Sequence, residues 1–201
     1  MKLHFTTTHE DHRVALLAAL AITIHIIESA FPSPLPGIKP GLANVVTLFT
    51  FMMYGWKTAL QVSLLRVIIS SLLLGTFLSP TFLLSLSGAL FSLSTLILTQ
   101  QLFYLFHLTL RLFSKHGLSD NNYSQPGAIG YAIIAAISHM SGQFLMAWYF
   151  FIPHPGLFKL LPIFITFAVI LGIVSGIITQ LTISQLKTKQ IQKSQLRPDN
   201  Q

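Results

Sequence analysis

The sequence predicts an all-α integral membrane protein of about six transmembrane helices, and three observations carry that prediction. The 201 residues are 52% hydrophobic and only 8% charged, where soluble domains carry about 25% charged residues, and the mean hydropathy is +0.68. Five or six separate apolar stretches are long enough to cross roughly 30 Å of hydrocarbon as helices, and the alternation of a membrane β-barrel is absent. The bases are also unevenly placed. With the N-terminus inside, Lys2, Arg13, Lys57, Arg111, Lys115, Lys187, Lys189, Lys193 and Arg197 fall on the cytoplasmic side, only Lys39 and Lys159 fall outside, and Arg66 lies within a span. That asymmetry is the positive-inside bias, so the net charge of +7 reflects topology and attraction to anionic lipid rather than nucleic-acid binding.

Residues 1–13 form a polar cytoplasmic head, whose Glu10 and Asp11 argue against a cleavable signal. A single transmembrane domain is expected over 14–184. Its first span covers about Val14 to Ile27, reaching Ala30. The second, Leu42 to Tyr54, is too short to cross unaided and reads as a half-helix or the continuation of an interrupted segment. Gly55-Trp56-Lys57 makes an inner turn with a belt aromatic and a base. The third span, Thr58 to Phe77, has Arg66 near its centre, and Ser79-Pro80 forms an outer turn. From Thr81 to Leu110 the chain is apolar for longer than one span requires, as a tilted or extended helix would be. Arg111 to Pro126 is an inner loop, Gly127 to Phe151 the fifth span, Pro153-His154-Pro155-Gly156 an outer turn, and Leu160 to Ile183 the sixth span. The tail, 185–201, is polar, rich in Gln and Lys, and expected to be disordered.

Between the first two spans, residues 28–44 hold four prolines and two glycines together with Glu28, Lys39 and Asn44. Irregular chain with charges beside a bilayer lines a cavity or a binding site. Glu28 is the sole carboxylate between Asp11 and Asp120. Arg66 is too deep to snorkel, and at a cost of at least ~2.5–3.5 kcal/mol on insertion scales it requires a partner, for which Glu28 is the one nearby acid. The pair either locks helices together or, with Lys39 and Asn44, faces an anionic ligand. In the fifth span His139 and Gln143 share a helical face, as a satisfied interior pair or as ligand contacts. Two small-residue steps, Ala15-x-x-x-Ala19 and Gly172-x-x-x-Gly176, permit close helix approach, within the bundle or toward a separate membrane partner.

Several chemistries are missing. Without cysteine there are no disulfides, thiolate metal sites or cysteine nucleophiles. No Walker A glycine loop exists to power the chain with ATP, no paired carboxylates serve acid–base catalysis, and no Asp-rich magnesium site for a diphosphate can be assembled in the membrane. No catalytic residue, metal or cofactor is expected.

The run Glu28-Ser29 … Pro34-x-Pro36-Gly37-x-Lys39-x-Gly41-Leu42-Ala43-Asn44, with Thr47-Leu48, Gly55-Trp56-Lys57-x-Ala59, Arg66, Leu74-Gly75 and Pro80-x-Phe82-x-x-Ser85-Leu86-x-Gly88, resembles the Gx transporter family, also labelled heptaprenyl diphosphate synthase component I. The resemblance spans about Val14 to Ile183. It implies a fold related to the six-helix S-components of energy-coupling-factor transporters, which hold a small molecule near the outer face and borrow ATPases through a transmembrane coupling subunit. It also raises Ala15 and Ala19 as partner-helix contacts.

The expected function is thus a bacterial inner-membrane protein, with both termini cytoplasmic, that binds or transports a small anionic or amphipathic molecule through Glu28, Lys39, Asn44, Arg66, His139 and Gln143. The alternative is a non-catalytic membrane component of a polyprenyl diphosphate synthase in quinone side-chain synthesis, whose partner would be a soluble prenyl synthase. A third reading is a scaffold within a membrane redox complex.

Overall fold

A computed structural model describes residues 8–30, 42–113 and 126–195, and among them the chain forms six α-helices and no strand: α1 (His9–Ala30), α2 (Leu42–Tyr54), α3 (Trp56–Leu73), α4 (Pro80–Phe113), α5 (Ala128–Phe150) and α6 (Leu161–Gln195). Five of the six are long and apolar enough to cross a membrane, and α2 is the short one. Side chains such as Leu16 (73% exposed), Phe106 (60%) and Tyr149 (72%) face outward, a surface for which lipid rather than water is the fitting solvent. The protein is a multi-pass membrane protein.

Local chemistry sets the helix ends. Thr8 caps α1: its backbone N–H and hydroxyl both donate to Asp11 Oδ2 at 2.8 Å, and its Oγ1 accepts from the Asp11 N–H at 3.3 Å. The helix therefore starts at His9, and the residues 9–13 expected in the polar head are its first turn. Between α2 and α3 the single residue Gly55 reverses the chain at φ 86°, a conformation glycine adopts without strain. The third helix ends at Leu73, four residues before the expected Phe77. Gly75, at φ 67°, turns left-handed there, and the Thr76 N–H donates to the Ser71 carbonyl at 2.8 Å, which closes a Schellman-type end. Pro80 then opens α4 at the first helical position, where its missing N–H costs nothing.

The last helix departs furthest from expectation. Residues 185–195, expected to be disordered, continue α6 to Gln195. Gln, Lys, Leu and Ile dominate this stretch, with no glycine or proline before Pro198, so nothing in it breaks a helix already nucleated by the apolar span.

The helices close a ring in the order α1, α3, α4, α5, α6, α2, with α2 also packed against α3. On one side Ala21, Val46 and Val62 seat α1 on α2 and α3. On the other, glycines bring α4, α5 and α6 together. A Cβ on Gly142 would lie 2.7 Å from Phe91 Cβ, and one on Gly176 would lie 2.6 Å from Ile129 Cα and 3.0 Å from Ala132 Cβ. The Gly172–Gly176 step is thus spent inside the bundle, between α6 and α5. Leu48, Phe51, Leu93, Leu96 and Tyr131 form the largest buried cluster, with the Phe51 and Tyr131 rings edge to face at 5.7 Å.

Because the Gly176 contact is with backbone, Gly176→Val has no room to relax. It is expected to destabilise the bundle by about 1–3 kcal/mol, read as a lower midpoint of thermal unfolding in detergent. Gly130→Ala, whose Cβ would meet only Pro126 Cβ at 3.5 Å, should leave the midpoint unchanged or raise it.

Candidate functional site

Within the ring lies a cavity of about 260 Å³ to which all six helices contribute. The inward stripe of α3 supplies its charged wall: Ala59, Val62, Ser63, Arg66, Val67 and Ser70 are buried, a spacing that puts them on one helical face. Arg66 is only 5% exposed, so its guanidinium has no route to an interface. The Ser70 hydroxyl donates to the Arg66 carbonyl and the Ser71 hydroxyl to the Ile68 carbonyl, so these two polar groups are satisfied by their own helix.

Arg66 finds its partner across the α2–α3 pair: Nη1 donates to Asn44 Oδ1 at 2.7 Å. Glu28, 5% exposed near the end of α1, acts favourably on the guanidinium through its charge. The opposite wall comes from α4 and α5. His139 Nε2 and Gln143 Nε2 are 3.1 Å apart, and both side chains rest on Gly88, where a Cβ would come within 2.8 Å of the imidazole and 2.9 Å of Gln143 Cγ. Ser87 ties the same two helices together by donating to the Gly142 carbonyl at 3.2 Å.

Five expected residues (Glu28, Asn44, Arg66, His139 and Gln143) therefore line one cavity, brought there by α1, α2, α3 and α5. Lys39 lies outside the described residues. Ala15 and Ala19 are away from the cavity, on the exposed face of α1, while Ala18 and Ala21 turn into the bundle. Sequence reasoning missed Thr47, Ser85, Ser92 and Ser175 in the lining and Gly88 behind it. Their signal was the helical spacing of small and polar residues, as in Thr81, Ser85, Gly88 and Ser92 along α4, which in an apolar helix marks an inward face.

Three buried polar atoms at the cavity have no hydrogen-bond partner: Thr47 Oγ1, Arg66 Nε and His139 Nδ1. A buried donor left unmet costs about 1–3 kcal/mol, and atoms of this kind that share a cavity mark a place for a ligand or water. Among the described residues no group of three His, Cys, Asp or Glu is placed to hold a metal ion. The arrangement suits binding: it has hydrogen-bond donors on an apolar surround.

Comparison with known proteins gives one family. The family described as heptaprenyl diphosphate synthase component I matches residues 17–182, a range that holds α2 to α5 entire, most of α1 and α6 and the whole cavity lining. No curated protein and no solved structure matches the chain.

The Asn44–Arg66 bond gives a direct test of the buried charge. Asn44→Ala removes the acceptor and leaves Nη1 unmet, so thermal unfolding in detergent should show a loss of about 1–3 kcal/mol. The same change at exposed Thr166, whose hydroxyl bonds the Pro162 carbonyl of its own helix at 2.9 Å, should cost little.

Proposed function

The chain belongs to the heptaprenyl diphosphate synthase component I family, and on that premise we propose that it is a membrane binding component that admits a small anionic or amphipathic molecule to the cavity within its helices. The observation that carries this reading is the convergence of Glu28, Asn44, Arg66, His139 and Gln143 on one cavity that also holds unmet buried donors. In this reading Arg66 attracts the ligand, Glu28 and Asn44 orient Arg66, and His139 and Gln143 contribute from the facing wall. Lys39 adds positive charge from the segment joining α1 and α2.

Uptake of that molecule is the transport form of the proposal, favoured by the likeness to S-component-type proteins. The positive-inside bias favours cytoplasmic termini, and in a bacterial inner membrane this would turn the end bearing Glu28 and Thr81 outward. Energy would come from elsewhere, because the chain has no phosphate-binding glycine loop. Ala15 and Ala19, open on α1, are where a coupling subunit with its ATPases would pack.

The family's name favours a second reading, in which the protein is the non-catalytic membrane partner of a soluble prenyl synthase. Native mass spectrometry of protein purified from its own membranes separates the two. The binding reading expects a bound small molecule on wild type that is lost from folded Arg66→Met and His139→Leu variants. A protein empty of small molecules but carrying a stoichiometric soluble subunit would instead support the synthase partnership.

Orientation is testable because the chain has no cysteine of its own. A membrane-impermeant maleimide should label His154→Cys in intact cells and Ser194→Cys only after permeabilisation; the reverse pattern overturns the assignment.

A further inference from the structure

We propose that the cavity takes a small monocarboxylate, held on the unpartnered Nε edge of Arg66, and not a polyprenyl diphosphate. This rests on the reading of the cavity as a ligand site and specifies its substrate class.

The unmet atoms fix what a ligand must offer. Arg66 uses Nη1 on Asn44 at 2.7 Å, while Nε is buried without a partner, so the Nε edge of the guanidinium is the one left to a ligand. A planar carboxylate matches that edge with two parallel hydrogen bonds. At the other wall the Gln143 amide stands 3.1 Å from His139 Nε2. His139 Nδ1 is a second buried polar atom without a partner, and the Thr47 hydroxyl is a third. A cavity whose unmet groups are the Arg66 N–H, an imidazole nitrogen and a hydroxyl calls for a ligand with polar groups at two places: a carboxylate at Arg66 and a further hydrogen-bonding group toward His139.

Charge and size narrow the class. Among the described lining residues Arg66 is the one Lys or Arg. In a low-dielectric interior an uncompensated charge is costly, so a head bearing several negative charges finds too few cations here, and one charge is the most that a single guanidinium can meet. A diphosphate brings several charges, and the carboxylate cluster that would hold its magnesium is missing among the described residues. The volume of about 260 Å³ lies just under the roughly 300–1,000 Å³ of pockets that enclose drug-sized molecules. A chain of seven isoprene units would overfill it. The apolar walls, with Val67, Leu93, Leu96 and Leu171, suit a compact body that is a short acyl chain or a ring.

The test uses the full chain in nanodiscs of phosphatidylethanolamine and phosphatidylglycerol, with unfolding followed by the fluorescence of its two tryptophans. The probes are benzoate and octanoate, their amides benzamide and octanamide, and farnesyl diphosphate. Carboxylates should raise the unfolding midpoint by several degrees, while the amides and farnesyl diphosphate leave it in place. Arg66→Lys, which keeps the charge but loses the fork, should weaken the carboxylate effect about tenfold or more. Thr47→Val, close in shape and without the hydroxyl, should weaken it about threefold, and it decides the matter if Arg66→Lys does not fold. Equal stabilisation by the amides, or Arg66-dependent stabilisation by farnesyl diphosphate, overturns the monocarboxylate assignment while the cavity remains a ligand site. Should no probe act, the accurate mass of any small molecule that copurifies decides: a carboxylate supports the assignment and any other class overturns it. The complete absence of a bound molecule overturns the ligand-site reading as well.

Discussion

A guanidinium held away from water at the centre of a membrane bundle is the constraint on which the rest of this structure depends. An arginine at mid-helix costs about 2.5–3.5 kcal/mol even on permissive scales, and Arg66 cannot escape that cost by reaching an interface, because α3 turns it inward at 5% exposure. The fold answers with groups from two other helices: Asn44 of α2 at hydrogen-bond distance and the charge of Glu28 from α1. Those requirements set the relative depth and rotation of α1, α2 and α3. The apolar contacts of Ala21, Val46 and Val62 then fill the space that this register leaves. Small residues do the filling because lipid provides no hydrophobic drive between helices, and close packing is what remains to hold them.

The other half of the ring is organised by steric vacancy instead of charge. Gly142, Gly172 and Gly176 let α4, α5 and α6 approach until side chains meet backbone, and Gly88 leaves the recess in which His139 and Gln143 sit. The cavity lies where these two differently built halves face each other. One half carries a cation that needs partners, and the other carries polar side chains admitted by missing Cβ atoms. Neither half alone encloses a site. The cluster of Leu48, Phe51, Leu96 and Tyr131 joins them on the side of the Gly55 turn, so the recess is closed there and its charged groups lie toward the opposite end.

The spans were legible because a 20-residue apolar run has few alternatives, and so were the residues whose burial is expensive. Glu28, Asn44, Arg66, His139 and Gln143 stand out in an apolar chain because each polar group must be accounted for. Thr47, Ser85 and Ser175 did not stand out. A hydroxyl in a membrane helix normally bonds the carbonyl one turn back, as Thr50 and Thr179 do, so its type says nothing about whether it faces a cavity. The spacing of Gly88 with Thr81, Ser85 and Ser92 marks an inward face, but the two side chains it makes room for lie more than fifty positions away, and local spacing does not name them. The two small-residue steps read alike, yet Gly172–Gly176 packs inside and Ala15–Ala19 faces out, because helix rotation is set by the whole bundle. The end of α6 departs from expectation for another reason: a polar stretch without glycine or proline keeps its helix propensity and continues the span to Gln195.

The shortness of α2 has a geometric consequence for the site. Asn44 must lie at the depth of Arg66, since the two are bonded, and Arg66 lies about 15 Å along α3 from the Gly55 turn at 1.5 Å per residue. From that level α3 continues for about 10 Å more, while α2 starts only two residues before Asn44. Helix α2 itself therefore reaches only just above the guanidinium, on the side where α1 brings Glu28. A full-length second helix would place another turn or two of side chains over Arg66 and fill the recess. A helix of thirteen residues would be a defect in a bundle meant only to span; here it leaves the charged end of the cavity unroofed by α2. The mismatch between α2 and the bilayer and the presence of a cavity beside Arg66 are then two aspects of one choice of helix length.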